Sequence, residues 1–376
     1  MSEKYTALYE EHKQLGASFT DFGGWQMPLK YSSELAEHHA VRNAAGLFDL
    51  SHMGEVWVTG PEAGAFLDYA LVGKLSAIAD GKAKYSLICN ADGGIVDDLI
   101  TYRFGDEKYL VVPNAGNAPT VAAALAERAR SGKVGGFDVI VGDVSAEMSL
   151  VAVQGPKAEA ILLKLTDEAQ HALVTDLKYY AFNELTVAGH DVILARTGYT
   201  GEDGFELFVA NNAAAPLWAS VAEAGAEFGI VPCGLASRDS LRLEAGMPLY
   251  GNELSLERSP FDAGLGPVVA LKSKEGDFVG RSALEADKEA GSKRKLVGLK
   301  GLGRRAGRGG YPVLKDGNVV GEVTSGQPSP TLGYPVAMAY VDVEVTELGT
   351  ALDIDLRGKA EPFEVVALPF YKRQKS

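Results

Sequence analysis

Residues 56–63 read VWVTGPEA, and 95 positions further on residues 151–158 read VAVQGPKA. The shared pattern V-x-V-x-G-P-x-A alternates apolar residues as a strand does, breaks at Gly-Pro and enters an Ala-led segment with helical apolar spacing. The proline is expected in the first turn of each helix, where its missing N–H loses nothing. A second pair follows at an offset of 97: YLVVPNAGNAPTVAAALAE from Tyr109 and ELFVANNAAAPLWASVAEA from Glu206. Each is a short apolar strand, an Asn-containing turn, a proline and an Ala-rich helix. Two matches at nearly one offset predict a duplicated α/β unit over about 50–130 and 145–228. The competing reading is chance repetition of a common strand–Gly-Pro–helix plan.

Beyond residue 285 the pattern changes to short strands punctuated by Gly, Pro, Asp-Gly and Ser-Pro. Asp316-Gly317, between YPVLK and NVVGEVTSG, is a hairpin signal. An all-β barrel or sandwich domain over 286–376 is expected after a first region spanning 1–285, with the boundary in the charged stretch near 275–295. Gly301-Leu-Gly-Arg-Arg-Ala matches a dinucleotide fingerprint, but a hairpin rather than a helix is expected after it. No nicotinamide site is therefore expected there.

The 376 residues exceed one ordinary core, so two or three domains are expected. A net charge of −14 argues against a general nucleic-acid partner. No apolar run is long enough for a membrane span, and the acidic, helix-like start lacks signal-peptide layout. A cytoplasmic location is the expectation. Cys89 and Cys233 are far apart and the six histidines show no chelating spacing, so no metal site is expected.

Four segments hold unusual chemistry: GGIVDDLITYR (93–103), ARTGYTGEDGFELFV (195–209), CGLASRDSLRLEAGMPLYG (233–251) and FDLSHMGE (48–55). In a strand, Asp97 and Asp98 point to opposite faces, so burial of one face buries one aspartate. They serve either a turn at the Gly-Gly corner or a ligand amine. Glu206 interrupts an apolar run. It is ion-paired structurally with Arg238, faces solvent on an edge strand, or is turned to a cleft, where the N–C–NH2 edge of a pterin or guanine would offer two parallel donors. Arg238 and Arg242, four apart, share a helical face and could form a surface ladder with Asp239 and Glu244. Met53, His52, Tyr85 and Tyr199 are compatible with ordinary packing.

Taken together, these segments resemble the glycine cleavage system T-protein family, the tetrahydrofolate-dependent aminomethyltransferases. FGGWQMPLKY, GLFDLSHMGE, GKAKYSLICNADGGIVDDLI, VQGPKA, RTGYTGEDGFEL, GLASRDSLRLEAGMPLYG, VTSGQPSPTLG and PFY follow in order through nearly the whole chain. The resemblance implies an α+β fold, a three-part cloverleaf in which the duplicated α/β folate-binding region precedes a C-terminal all-β barrel. It implies transfer of the methylene carbon of an aminomethyl group, carried on the lipoyl arm of H protein, to tetrahydrofolate. The products would be 5,10-methylenetetrahydrofolate, ammonia and dihydrolipoyl H protein. By motif, Asp98 matches the catalytic carboxylate, Glu206 the pterin-gripping residue and Arg238 a folate-binding arginine. Asn114, Tyr199, Tyr85 and Met53 match positions lining the pocket, and the basic end YKRQKS is a candidate for the folate's glutamate tail. The alternatives are another tetrahydrofolate-dependent C1 transferase or demethylase of the same fold, or a non-enzymatic folate-binding protein.

Overall fold

A computed structural model describes residues 3–374, so the last two residues of the basic end lie outside the described residues. The chain divides into two compact units, the first from Met1–Ser86 and Leu99–Arg238, the second from Leu87–Asp98 and Asp239–Ser376. The first begins with α1 (Tyr9–Gln14), shorter than the helix-like start suggests, then the hairpin β1 (Ser18–Phe22) and β2 (Trp25–Lys30). α2 (Glu34–Asn43) starts where the Ser33 hydroxyl accepts the amide of Ala36, and β3 (Ala45–Asp49) follows it.

The repeat is visible in the topology. Its first copy runs β4 (Val56–Thr59), α3 (Ala63–Ala70), β5 (Ala83–Cys89), β6 (Ile95–Gly105), β7 (Lys108–Pro113), α4 (Ala118–Ser131), and then β8 (Ile140–Asp143). The second runs β9 (Met148–Gln154), α5 (Ala158–Leu163), α6 (His171–Thr175), β10 (Phe182–Val187), β11 (His190–Ala195), β12 (Gly204–Ala210) and α7 (Asn211–Gly225). β13 (Ile230–Pro232) and α8 (Leu235–Glu244) complete the order. The sheets are ordered β5-β6-β7-β4-β8 and β10-β11-β12-β9-β3-β13, so the first four strands of each correspond one to one. Register differs by one residue from the offsets of the repeat: Val56 faces Val111, which the repeat aligns with Phe208, whereas Val151 faces Leu207.

Alternation gives the second sheet one fully apolar face. Val151, Val153, Leu207 and Val209 pack there against Ile161 of α5 and Leu217 and Trp218 of α7. On the first sheet Tyr102 of β6 meets Phe182 and Phe208 edge-on, each with ring centroids 5.6 Å apart. The Gly-Pro prolines differ from expectation: Pro61 and Pro156 lie ahead of the N-caps Glu62 of α3 and Lys157 of α5. Pro119 falls in the first turn of α4, and Pro216 sits inside α7. Among the described residues no helix is long and apolar enough to cross a membrane.

The second unit contains α9 (Arg281–Ala290) and a closed six-stranded barrel. Its strands are β14 (Arg294–Gly301), β15 (Pro312–Lys315), β16 (Asn318–Pro328), β17 (Pro335–Asp342), β18 (Ala351–Asp355) and β19 (Ala360–Val366), closing in the order β14-β17-β16-β15-β18-β19. Leu299, Val313, Val323, Ala339, Ile354 and Phe363 fill it. The Asp316-Gly317 turn has φ of 52° and 81°, the left-handed pair that a two-residue hairpin requires.

The surface ladder expected for Arg242 is not what forms. Arg242 is buried, with Nη1 2.9 Å from Glu253 Oε2, Nε donating to Asp239 and Nη2 donating to Ser325 Oγ of β16. Ser325 in turn donates to Glu253 Oε1 at 2.6 Å. Glu244 is buried and accepts from Ser329 and Thr331. Glu253 and Ser325 are far away in sequence, so local spacing offered only Asp239 and Glu244 as partners.

Candidate active site

Glu206 stands in the middle of β12, where it faces Ala195 of β11 and Ala152 of β9. It is buried, at 9 % exposure. Burial pushes its carboxyl up, while the Thr197 hydroxyl and the charge of Arg238 pull it down, and burial wins. Thr197 Oγ1 donates to Glu206 Oε2 and lies 3.3 Å from the Tyr102 hydroxyl. The Thr197 carbonyl accepts from Gln154 Nε2 at 3.0 Å, and Gln154 Oε1 accepts from Thr200 at 2.9 Å. This chain of bonds fixes the RTGYTG loop against the sheet. It leaves Glu206 Oε1 without a hydrogen-bond donor among the described residues.

The guanidinium of Arg238, on α8, lies over the ring of Tyr199 at 4.5 Å from its centroid. His52 is within electrostatic reach of the same arginine. Burial pushes its imidazole down to about 4, Arg238 acts in the same direction, and Asp49 opposes them. His52 is therefore neutral at physiological pH, and its Nδ1 has no hydrogen-bond partner among the described residues. Burial alone would raise the carboxyl of Asp49. Bonds from His12 at 2.8 Å, the Ser51 amide at 2.9 Å and Thr6 at 2.6 Å outweigh it and hold the carboxylate ionised. Tyr31 lies 2.8 Å from the other nitrogen of His12, so the loop carrying His52 and Met53 starts from a bonded anchor.

Met53 and Asn114, 61 positions apart in sequence, sit on adjoining segments because the Gly54 amide donates to the Pro113 carbonyl at 3.1 Å. A Cβ on Gly54 would stand 2.6 Å from Ala118 Cβ and 2.9 Å from Pro113 Cγ, so only glycine allows that approach. Met53, Tyr85, Asn114, Tyr199 and Arg238 are all partly exposed.

Asp98 belongs to the second unit. The burial alternates along β6: Asp97 is fully buried and Asp98 half-buried. The strand head is fixed by the Ile95 amide, which donates to the carbonyls of Ser255 and Arg258 at 3.2 and 3.3 Å. A Cβ on Gly94 would lie 2.1 Å from the Leu256 carbonyl oxygen, which accounts for the Gly-Gly corner. Both aspartates act on Tyr250, whose hydroxyl is pushed up first by burial and then by Asp97, Glu257 and Asp98.

Sequence reasoning missed Thr197, Tyr102 and Gln154. Thr197 lies within the quoted RTGYTG segment, but nothing in its spacing marks it as a partner of Glu206. It also passed over Glu55, fully buried with neither carboxylate oxygen bonded among the described residues. Burial, and secondarily Asp143, push the Glu55 carboxyl up to about 9, so it is held as the neutral acid.

The model of the GCVT N-terminal domain matches residues 8–273, and that of the glycine cleavage T-protein C-terminal barrel domain matches residues 294–372. The chain belongs to the glycine cleavage T-protein family. Within the family it is 59 % identical to the aminomethyltransferase of Streptomyces avermitilis, over 99 % of this chain and 98 % of that protein. It is 46 % identical to that of Bacillus subtilis, over 98 % and 99 %. Its fold matches the crystal structure of the glycine cleavage system aminomethyltransferase T from Bartonella henselae with a TM-score of 0.90, at 38 % identity and 99 % coverage of both chains. As a member of this family the chain is an enzyme, an aminomethyltransferase.

Proposed function

We propose that the chain transfers the methylene carbon of a lipoyl-bound aminomethyl group on H protein to tetrahydrofolate, releasing ammonia and dihydrolipoyl H protein. The observation that carries the reading is Glu206: a buried carboxylate with one oxygen fixed by Thr197 and the other open. That pair of acceptor oxygens fits the N–C–NH2 edge of a pterin, which presents two parallel N–H groups. Tetrahydrofolate, when bound, supplies the two amines that accept the carbon.

In this reading Glu206 grips the pterin and Arg238, held flat on Tyr199, binds the folate. Met53, Tyr85, Asn114 and Tyr199 line its pocket. Asp98 is the catalytic carboxylate. Its negative charge stabilises the positive charge that develops on the methylene carbon as the C–N bond to ammonia breaks, and it orients the attacking amine. Asp97, buried on the other face of the strand, holds the strand rather than the substrate. The remaining contribution is alignment of carbon and amine. No residue here needs to act as a covalent nucleophile.

Residues 1–285 form the folate-binding aminomethyltransferase region and residues 286–376 the barrel domain in this proposal, and the enzyme works in the cytoplasm. The test is a single turnover with H protein carrying the aminomethyl-lipoyl group. Ammonia release that depends on tetrahydrofolate is expected. Folate binding without such turnover would favour a demethylase of the same fold or a non-enzymatic folate-binding protein.

A further inference from the structure

A cleft of about 470 Å³ in the second unit contains none of the residues assigned above to folate or to the transferred carbon. Its walls come from the hairpin corner Asp92–Gly94, the segment 256–262, the end of α9 and residues 292–294. The cleft has two kinds of charged wall. Arg258 is stacked on Tyr340, its guanidinium 3.9 Å from the ring centroid, and the Tyr340 hydroxyl is itself fixed by the Glu253 carbonyl at 2.7 Å. The guanidinium is thereby held in place, yet no carboxylate stands within ion-pair distance of it among the described residues. Lys293 is in the same position, whereas its neighbour Arg294 is engaged by Asp342 at 2.8 Å. Ser259, beside Arg258, has a buried hydroxyl without any hydrogen-bond partner among the described residues.

The acidic groups are Asp92 at the hairpin corner and Asp287 in the last turn of α9, with Asp262 and Glu257 on the 256–262 segment. Asp287 Oδ2 would lie 3.5 Å from a Cβ on Gly93, so it stands against the corner that bears Asp92. The carbonyl end of α9 adds partial negative charge on that side. A buried hydroxyl without a partner is unusual in a folded protein, and Arg258 acts on Glu257 only beyond ion-pair distance.

We propose that this cleft binds a small dipolar molecule with both a carboxylate and an ammonium group, an α-amino acid or a dipeptide. Arg258, Lys293 and the Ser259 hydroxyl take the carboxylate. Asp92, Asp287 and the end of α9 take the ammonium. The cleft is within the size range of small-molecule sites and larger than glycine alone requires, so a ligand with a side chain is favoured.

The experiment titrates the full chain with L-serine, L-glutamate and glycyl-glutamate, with acetate and ethylammonium as single-charge controls. Melting temperature and amide NMR shifts are followed, with saturating tetrahydrofolate present to keep the folate site occupied. The dipolar probes are expected to raise the melting temperature with concentration, and the single-charge probes not to. Arg258→Ala and Asp287→Asn should each weaken that response at least tenfold. Lys293→Gln, a change that leaves the Tyr340 stack in place, should weaken it severalfold without altering the unliganded melting temperature. No response to any dipolar probe, or a response in Lys293→Gln and Asp287→Asn as strong as that of the unsubstituted chain, overturns the proposal. Ammonia release from H protein is not read here, so failure of this site and failure of the proposed activity are separable.

Discussion

The Arg238 guanidinium lies over the ring of Tyr199, 4.5 Å from its centroid, and the same group pulls on the carboxyl of Glu206 and pushes on the imidazole of His52. One cation therefore acts on two titratable side chains from separate segments, opposing the larger effect of burial at Glu206 and adding to it at His52. Arg238→Lys keeps the charge and loses the planar face. Affinity for tetrahydrofolate, measured by calorimetry, is expected to fall about tenfold. Unchanged affinity would remove Arg238 from the folate site.

Glu206→Gln replaces an ionisable acceptor by an amide at the open oxygen. A hydrogen bond to a buried charge is worth roughly 1.5–3 kcal/mol, so folate affinity should drop about ten- to a hundredfold. Thr197→Val removes the hydroxyl that lowers the Glu206 carboxyl, and should weaken binding more at pH 6 than at pH 8. The carboxyl, raised further in that variant, is protonated to a greater extent at the lower pH.

For Asp98→Asn, loss of a charge fixed opposite developing positive charge is expected to slow single-turnover ammonia release by roughly two to three orders of magnitude. Folate binding should survive. Asp97→Asn is the contrast: its fully buried side chain predicts a lowered melting temperature with a much smaller effect on rate. The reverse pattern would show that the wrong carboxylate has been chosen.

Glu55 gives the protein a pH signature. Its carboxyl stays protonated in the fold up to about 9, whereas in the unfolded chain it ionises near 4.5. Between those values the folded state binds one more proton, so stability declines as pH rises. Glu55→Gln removes that dependence. At pH 7 the variant should be more stable by about 3 kcal/mol, with no gain near pH 4.5. Denaturant melts at several pH values measure it, and a pH-independent difference would be the contrary result.

Arg242 and Glu253 are a buried pair tied to the barrel through Ser325. Arg242→Met leaves Glu253 buried without its cation, and a loss of about 3–5 kcal/mol is expected from equilibrium unfolding. The double change Arg242→Met with Glu253→Leu should recover a substantial part of that loss. An additive further loss would show that the pair does not act as a unit.

The sequence by itself determined the duplicated unit, the β-rich C-terminal domain and the family. All three rest on local or periodic signals: alternation in the Val-x-Val strands, Gly-Pro breaks, the Asp316-Gly317 turn and motifs in fixed order. It also showed that Asp97 and Asp98 must part, because strand geometry requires it. Only the tertiary structure decided which of them is buried, since that depends on what packs against each face of β6. Thr197 beneath Glu206, the open oxygen of Glu206 and the solvent-free carboxyl of Glu55 were likewise not legible. Arg242 shows the reason most plainly. Its helix offers Asp239 three positions back at bonding spacing, but burial removes water from the guanidinium. A desolvated charge takes the partners that packing brings to it, here Glu253 and Ser325 alongside Asp239. Local pattern fixes elements because backbone periodicity is local, and side-chain partners are fixed only once the chain has closed on itself.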